Sequence, residues 1–186
     1  MNMFYVPAIL IQCKDWDDKK KKIERIYEKQ KPYFRYNSDD CSTDFFSIKD
    51  NVNLNWKDHV ADIFFEELLS LKKQLNLSTA INLQVKASWF EIANHGDCHN
   101  AHTHGNSGYS AVCYIEYSPD LHTPTIFISP FKNFLDGSDL EFTPKDIKEG
   151  SLIFFPSSIY HYTKPNRSKI PRKILSFNLA LSEHYV

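Results

Sequence analysis

The sequence has almost no excess charge and few glycines. Its 186 residues carry 22 basic and 23 acidic side chains, for a formal net charge of -1. A large basic excess is the electrostatic signature of a nucleic-acid-binding protein, so its absence argues against that class. Five glycines against 14 phenylalanines and 10 tyrosines favour an aromatic-rich β core over a repeat or linker protein.

The cysteines and the apolar segments exclude further classes. Cys13, Cys41, Cys98 and Cys113 form no Cys-x-x-Cys pair, so neither a zinc ribbon nor a thioredoxin-like motif is indicated. The apolar run 3–11 has no basic region before it and is followed by aspartates, which predicts neither a signal peptide nor a membrane-spanning helix. We therefore expect a cytoplasmic protein without a membrane partner, with its cysteines reduced.

The N-terminal part of the chain predicts one strand and two helices. The strand is expected at 4–12, and the first helix runs from an N-cap at Asp15 to about Lys31, just before a proline. From Asn55 to Asn76 apolar residues recur at spacings of three and four, which places them on one face of a second helix.

The chain changes character after residue 77. Short segments rich in β-branched and aromatic residues are separated there by turn-forming residues, as is typical of antiparallel strands. We predict a single domain over 1–186, mainly β with flanking helices (α+β). Its sandwich or barrel core lies at 79–182, and the strand and helices of 1–78 support it from outside.

Four of the eight histidines, His95, His99, His102 and His104, lie within ten positions. On a strand His102 and His104 project from the same face and can bind one metal ion. On a helix their rings would point roughly 200° apart and could not. The glycine-containing break at 105–108 favours the strand, and an exposed polar loop is the alternative.

Two remote segments offer partners for these histidines. A turn, a buried strand and a Pro-Ser bend lead to His161, which we expect at the same site, because three imidazoles suit several transition metals and leave coordination positions open. Arg172, Ser176 and Asn178 share one face of the last predicted strand. A guanidinium is the natural partner of a dicarboxylate, to which Ser176 or Asn178 can add hydrogen bonds; a surface salt bridge is the alternative for Arg172.

The order of these motifs resembles a known enzyme family. Over about residues 85 to 180 the sequence is similar to Fe(II)/2-oxoglutarate-dependent oxygenases of the prolyl-hydroxylase-like branch. The resemblance is carried by Ser88-Trp-Phe, Gly96-Asp, His102-x-His104, Ser110–Ile115, Gly150–Pro156, His161 and Arg172–Asn178. It implies a double-stranded β-helix, the cupin-like jelly roll, with Fe(II) at its open end and 2-oxoglutarate as co-substrate.

The resemblance also implies residue roles. His102 and His161 become metal ligands, and His104 occupies the usual carboxylate position of an HxD motif. The expected co-substrate contacts are Arg172, as the clamp for the distal carboxylate, Ser176, Asn178 and Tyr114. Because His104 replaces a carboxylate, the third ligand stays open, with Asp97 as the leading alternative and His99 as a weaker one. The family often has Asn at the position of Glu91 and Ser at that of Ile174.

The implied activity is a dioxygenase of the hydroxylase type. It uses O2, converts 2-oxoglutarate to succinate and CO2, and hydroxylates a small-molecule or peptide or protein substrate, with ascorbate as a further possible cofactor. The alternatives are a three-histidine cupin-like enzyme that does not use 2-oxoglutarate and a non-catalytic metal-binding barrel. Expected pocket walls are Trp89, Tyr109, Tyr114 and Tyr160, and the expected substrate-covering segments are 32–55 and 136–148. The sequence does not indicate an oligomeric state.

Overall fold

The computed structural model describes residues 6–36, 40–49 and 56–183. Its helices are α1 (Trp16–Gln30), α2 (Phe45–Lys49), α3 (Lys57–Ile63) and α4 (Phe65–Gln74), with one 3-10 turn at Lys31–Tyr33. Its strands are β1 (Ile9–Gln12), β2 (Arg35–Tyr36), β3 (Ser42–Thr43), β4 (Ile81–Ala93), β5 (His99–His102), β6 (Tyr109–Glu116), β7 (Ile126–Lys132), β8 (Asp139–Phe142), β9 (Ser151–Pro156), β10 (His161–Thr163) and β11 (Arg172–Glu183).

The strands form two sheets, with antiparallel pairing throughout the described residues. The larger sheet has the order β1-β9-β6-β11-β4-β3-β2, and the smaller sheet has the order β5-β10-β7-β8. The predicted mainly β fold with N-terminal helices is therefore confirmed. The long β4 and β11 pair with each other over almost their whole length, and β6 pairs with the other edge of β11. This rigid centre fixes the positions of side chains that face the smaller sheet.

The central strands of the larger sheet are buried on both faces. One face packs against the helices, where Phe64 of the α3–α4 junction stacks on Phe177 with ring centroids 5.6 Å apart. The opposite face packs against the smaller sheet and carries Ile174 in a second apolar cluster. Neighbouring residues of β11 alternate between the two faces, since the side-chain period of a strand is two. Arg172 and Ser176, which share a face of β11 with Ile174, therefore lie on the side of the smaller sheet.

The predicted helices are present with two differences. The first predicted helix is α1, but Asp15 adopts a left-handed backbone (φ 47) and makes no side-chain cap. Its carbonyl oxygen instead accepts hydrogen bonds from the N–H groups of Asp18 and Lys19, at 3.1 Å each. The second helix is broken at Phe64 (φ -103, ψ 21) into α3 and α4. Asn55, its expected cap, lies outside the described residues.

Two short strands of the smaller sheet were not predicted from the sequence. β8 and β10 have three or four residues each, too few for a readable hydrophobic alternation, whereas the four-residue β5 contains His102, which was expected on a strand. Of the helices in the described ranges, none is long and apolar enough to cross a membrane. None of the four cysteines, all of which the structure describes, forms a disulfide, and Cys98 is the one that is only partly buried.

Gly108 connects the histidine segment to the larger sheet. Its backbone is left-handed (φ +84), and a Cβ there would meet the carbonyl oxygen of Leu179 at 2.2 Å. The Gly108 carbonyl accepts a hydrogen bond from the N–H of Ser157 (3.1 Å), and the Ser157 carbonyl accepts one from the N–H of His104 (2.9 Å). The close approach at Gly108 therefore helps to hold the backbone of His104.

We expect Gly108→Ala to lower the free energy of unfolding by about 3 kcal/mol or more, since left-handed strain and a clash with backbone both act. Gly137→Ala is the matched control, because Gly137 is also left-handed (φ +72) but a Cβ added there would have no atom within 4 Å. It should cost about 1 kcal/mol. Urea unfolding of both variants measures the difference, and equal losses would contradict the role of the Leu179 contact.

Candidate active site

Three histidines from two segments meet at one end of the space between the sheets. His102 ends β5 and pairs in register with His161, the first residue of β10. His104 lies two residues beyond β5, and its imidazole returns to the same point. The possible ligand atoms of the three lie within 4.8 Å of one another, and the Nε2 atoms of His102 and His104 are 3.1 Å apart. The structure thus brings together the three histidines that the sequence singled out, although only His102 of the HxH pair lies on a strand.

The hydrogen bonds of the three rings determine where each proton sits. Nδ1 of His102 lies 2.7 Å from the carbonyl oxygen of Asn100, and Nδ1 of His161 lies 3.0 Å from that of Ile159. A carbonyl oxygen can only accept, so both Nδ1 atoms carry hydrogen and both Nε2 atoms offer a lone pair. This is the arrangement by which proteins orient metal-binding histidines.

His104 is oriented by side chains from the larger sheet. Its Nδ1 lies 2.9 Å from Oδ1 of Asn178 and 2.8 Å from Oγ of Ser110. Because Oδ1 of an amide only accepts, His104 donates from Nδ1 and presents Nε2 as well. Asn178, expected at the co-substrate, is thus placed as the hydrogen-bond partner of a candidate metal ligand.

The geometry of the three rings fits a transition-metal ion. Two unprotonated Nε2 atoms at 3.1 Å repel each other unless a cation lies between them, and ligands about 2.1 Å from one ion at right angles are about 3 Å apart. Burial, together with the repulsion that a protonated His102 would exert, lowers the pKa of His104 to about 4 and that of His161 to about 3. Both rings are therefore neutral near pH 7, as coordination requires.

Asp97 and His99, the alternative third ligands, are engaged elsewhere. The Asp97 carboxylate accepts hydrogen bonds from the hydroxyl of Tyr36 (2.9 Å) and the N–H of Asn94 (2.8 Å), so it closes the turn after β4. The His99 ring stacks on that of His102, with centroids 4.1 Å apart, and its Nδ1 lies 2.9 Å from Glu91. The candidate metal ligand that joins His102 and His161 in this structure is therefore His104.

Glu91 is a buried carboxylate beside the cluster whose role the sequence did not reveal. It accepts hydrogen bonds from the indole N–H of Trp89 (2.7 Å) and from His99, and the hydroxyl of Ser176 lies 3.4 Å away. Burial opposes its ionisation, but the charge and hydrogen bond of His99, with that of Trp89, hold the pKa of Glu91 well below its usual value. The signal available in the sequence was alternation, which puts Glu91 and Trp89 on one face of β4.

Arg172 lies deeper between the sheets. Its side chain is buried, and Nη1 donates to the carbonyl oxygen of Thr123 at 3.0 Å. Within the described residues, Nε of Arg172 and Oγ1 of Thr163 are buried without a hydrogen-bond partner. Each such group costs about 1 to 3 kcal/mol, so the oxygens of a bound acid would stabilise them. These donors fit a carboxylate co-substrate.

The other expected co-substrate contacts have different surroundings. Ser176 lines a narrow cavity of about 10 Å³ between the sheets, together with the three histidines, Glu91 and Thr163. That space holds about one water molecule, so a bound acid has to displace side chains around it. The hydroxyl of Tyr114 donates to Thr125 Oγ1 at 3.1 Å, and burial raises the pKa of the Tyr114 phenol.

A larger cavity of about 430 Å³ adjoins the histidines on the side of α2. It is lined by Asp40, Cys41, Thr43, Phe45, Phe46, Trp89, Glu91, His99, His102, Thr103, His104 and Asn178. Among the aromatic walls expected from the sequence, Trp89 lines it, whereas Tyr109 packs against the helix-side core and Tyr160 is 56% exposed. Phe45 and Phe46 belong to the segment 32–55 that was expected to cover the substrate.

Comparison with known proteins agrees with this architecture. The family model described as "Putative 2OG-Fe(II) oxygenase" matches residues 87–178. No curated protein matches the sequence at a significant level.

Solved structures share the fold at low sequence identity. A prolyl-4-hydroxylase of Pseudomonas putida is 13% identical, with 93% of this chain and 91% of that chain covered and a TM-score of 0.58. A collagen prolyl hydroxylase of Paramecium Bursaria Chlorella virus-1 is 11% identical, with 97% and 98% covered and a TM-score of 0.58. The α-ketoglutarate-dependent carbocyclase SnoK of nogalamycin biosynthesis is 10% identical, with 92% and 78% covered and a TM-score of 0.65.

These similarities confirm the double-stranded β-helix with N-terminal helices outside it. The matched segment contains all three clustered histidines and Arg172. Residues 87–178, just under half of the chain, are similar to the 2OG-Fe(II) oxygenase family.

Proposed function

We propose that the protein is a hydroxylase that uses Fe(II), 2-oxoglutarate and O2 and releases succinate and CO2. The supporting observation is the convergence of His102, His104 and His161, whose possible ligand atoms lie within 4.8 Å of one another. Iron bound there would supply the site at which O2 is reduced while 2-oxoglutarate is oxidatively decarboxylated. Residues of this chain would hold the metal ligands in place, bind the co-substrate and exclude water.

The first task of these residues is to hold the ligand set rigid. Main-chain carbonyls fix the rings of His102 and His161, while Asn178 and Ser110 fix that of His104. A neutral imidazole in place of a carboxylate leaves the site one unit more positive than the usual triad. The buried negative charge of Glu91 balances that of His99, the ring that stacks on His102, so this pair adds no further positive charge to the site.

The second task is to bind the co-substrate and exclude water. Arg172 is the buried guanidinium with a donor to spare, so we assign it to the distal carboxylate of 2-oxoglutarate. Phe155 contacts the ring of His161 edge to face, with centroids 4.7 Å apart, and closes the inner side of the cluster with apolar surface. A dry environment strengthens the interaction between Arg172 and an acid.

One observation favours a second candidate. The inner cavity of about 10 Å³ is much smaller than 2-oxoglutarate requires, which suits a three-histidine metal enzyme that does not use this co-substrate. In that case Arg172 would serve only to hold the carbonyl of Thr123. For either candidate we propose a cytoplasmic enzyme acting on a small molecule or on a peptide or protein.

We expect His161→Ala to abolish both Fe(II) binding and succinate formation, because two imidazoles alone leave the ion without its ligand from β10. Metal content after anaerobic reconstitution and succinate release from 2-oxoglutarate in the presence of ascorbate measure the effect. His59→Ala, an exposed histidine of α3, is the control and should retain both properties. Normal iron content in His161→Ala would refute the assignment.

We expect Arg172→Ala to raise the Kd for 2-oxoglutarate by about 30-fold to 4,000-fold, since removing one partner of a buried charged pair costs about 2 to 5 kcal/mol. Titration of the Fe(II) protein under anaerobic conditions, read from its visible charge-transfer band, gives the Kd. Arg167→Ala is the control, because Arg167 is exposed. An unchanged Kd, with iron still bound, would favour the second candidate.

A further inference from the structure

The outer cavity, the one of about 430 Å³ beside α2, is the natural place for a substrate. Its volume falls within the range of about 300 to 1,000 Å³ found for small-molecule sites. His102 and His104 form part of its wall, so a molecule bound there lies against two of the three clustered histidines. The nature of its other walls therefore indicates what kind of molecule it accepts.

Aromatic rings form one side of this cavity. Phe45 meets Trp89 edge to face with centroids 5.0 Å apart, and Phe46 lies 6.0 Å from Phe45. The Trp89 ring in turn contacts that of His104 at 5.1 Å. Its indole N–H is held by Glu91, which fixes the orientation of the ring. The row of rings extends from the cavity wall to a candidate metal ligand.

The charged groups of the cavity are two carboxylates and one histidine cation, His99, whose pKa is lowered by burial but raised above its usual value overall by the charges of Glu91 and Asp40. Its charged or titratable wall residues, among those described, are Asp40, Glu91, His99, Cys41 and the two histidines of the cluster, with no lysine or arginine. Each carboxylate oxygen of Glu91 already accepts a hydrogen bond, one from Trp89 and the other from His99. Asp40 has one oxygen 3.5 Å from Nε2 of His99, while its Oδ1 is buried and accepts no hydrogen bond from the described residues.

Aromatic rings beside a carboxylate with a spare acceptor recognise a cation. A guanidinium or ammonium group is attracted to the faces of aromatic rings and can donate to a carboxylate at the same time. A neutral apolar group would leave Asp40 Oδ1 unpaired, and an anionic group would be repelled by it. We propose that the outer cavity binds a positively charged nitrogen group, preferably a guanidinium, carried by a substrate of amino-acid size.

The assignment of this group to a substrate rests on the proposed function. Binding in the cavity does not, because Asp40, Phe45 and Phe46 are not in the histidine cluster. The inference can therefore be tested on metal-free protein, separately from turnover.

The probes are n-butylguanidinium and its neutral isostere n-butylurea, titrated into the metal-free protein by calorimetry or by ligand-observed NMR. We expect the guanidinium to bind about tenfold more tightly. Asp40→Asn should reduce that preference to about threefold or less, whereas Asp40→Glu, which retains the charge, should keep most of it. Asp120→Asn is the control, since Asp120 is exposed and lies outside the cavity.

Each outcome decides one of the two proposals. A preference for the cation that Asp40→Asn removes and Asp120→Asn leaves intact supports the cavity assignment, and if the iron-loaded protein forms no succinate, only the oxygenase proposal fails. Equal binding of the two probes by the wild-type protein overturns the cavity assignment, as does a preference that persists in a folded Asp40→Asn variant. Folding of each variant is checked by its urea unfolding transition.

Discussion

The chemistry of this protein depends on which nitrogen of each clustered imidazole carries the proton. In His102 and His161 a main-chain carbonyl fixes hydrogen on Nδ1, and in His104 the amide of Asn178 does the same. Three lone pairs consequently point into one small volume. Without a cation the three lone pairs repel one another, so the folded arrangement favours the binding of a metal ion. The ladder between β5 and β10 supplies the register on which this arrangement rests.

That register in turn depends on the larger sheet. Asn178 and Ser110 reach His104 because β11 and β6 pair with these two residues opposite each other. Gly108 allows the connecting loop to pass close to Leu179. The helices contribute indirectly, since they cover the face of β11 that bears Phe177 and so keep the other face, with Arg172, turned toward the smaller sheet. Stability and site geometry are therefore properties of the same strands.

Sequence patterns were sufficient where the periodicity was long. The strands β4, β6 and β11, the helix α1 and the meeting of His102, His104 and His161 could all be predicted, because each follows from alternation or from a motif order. The break at Phe64 could not, since tertiary stacking on Phe177 is invisible in a helical repeat. The engagement of Asp97 by Tyr36 and the ion pair of Glu91 with His99 were equally hidden, because both join segments whose separation in sequence carries no periodic signal.

Trp89 lines the outer cavity and is linked to the inner one through its hydrogen bond to Glu91. Its ring borders the outer one, while its N–H holds the carboxylate of Glu91, which lines the inner one. A ligand that tilts the indole on one side must lengthen or bend that hydrogen bond on the other. A Glu91 carboxylate that is free to move would enlarge the inner cavity, which otherwise has a volume of only about 10 Å³. The two chambers also share Glu91, His99, His102 and His104 as walls, so filling one chamber changes the shape of its neighbour.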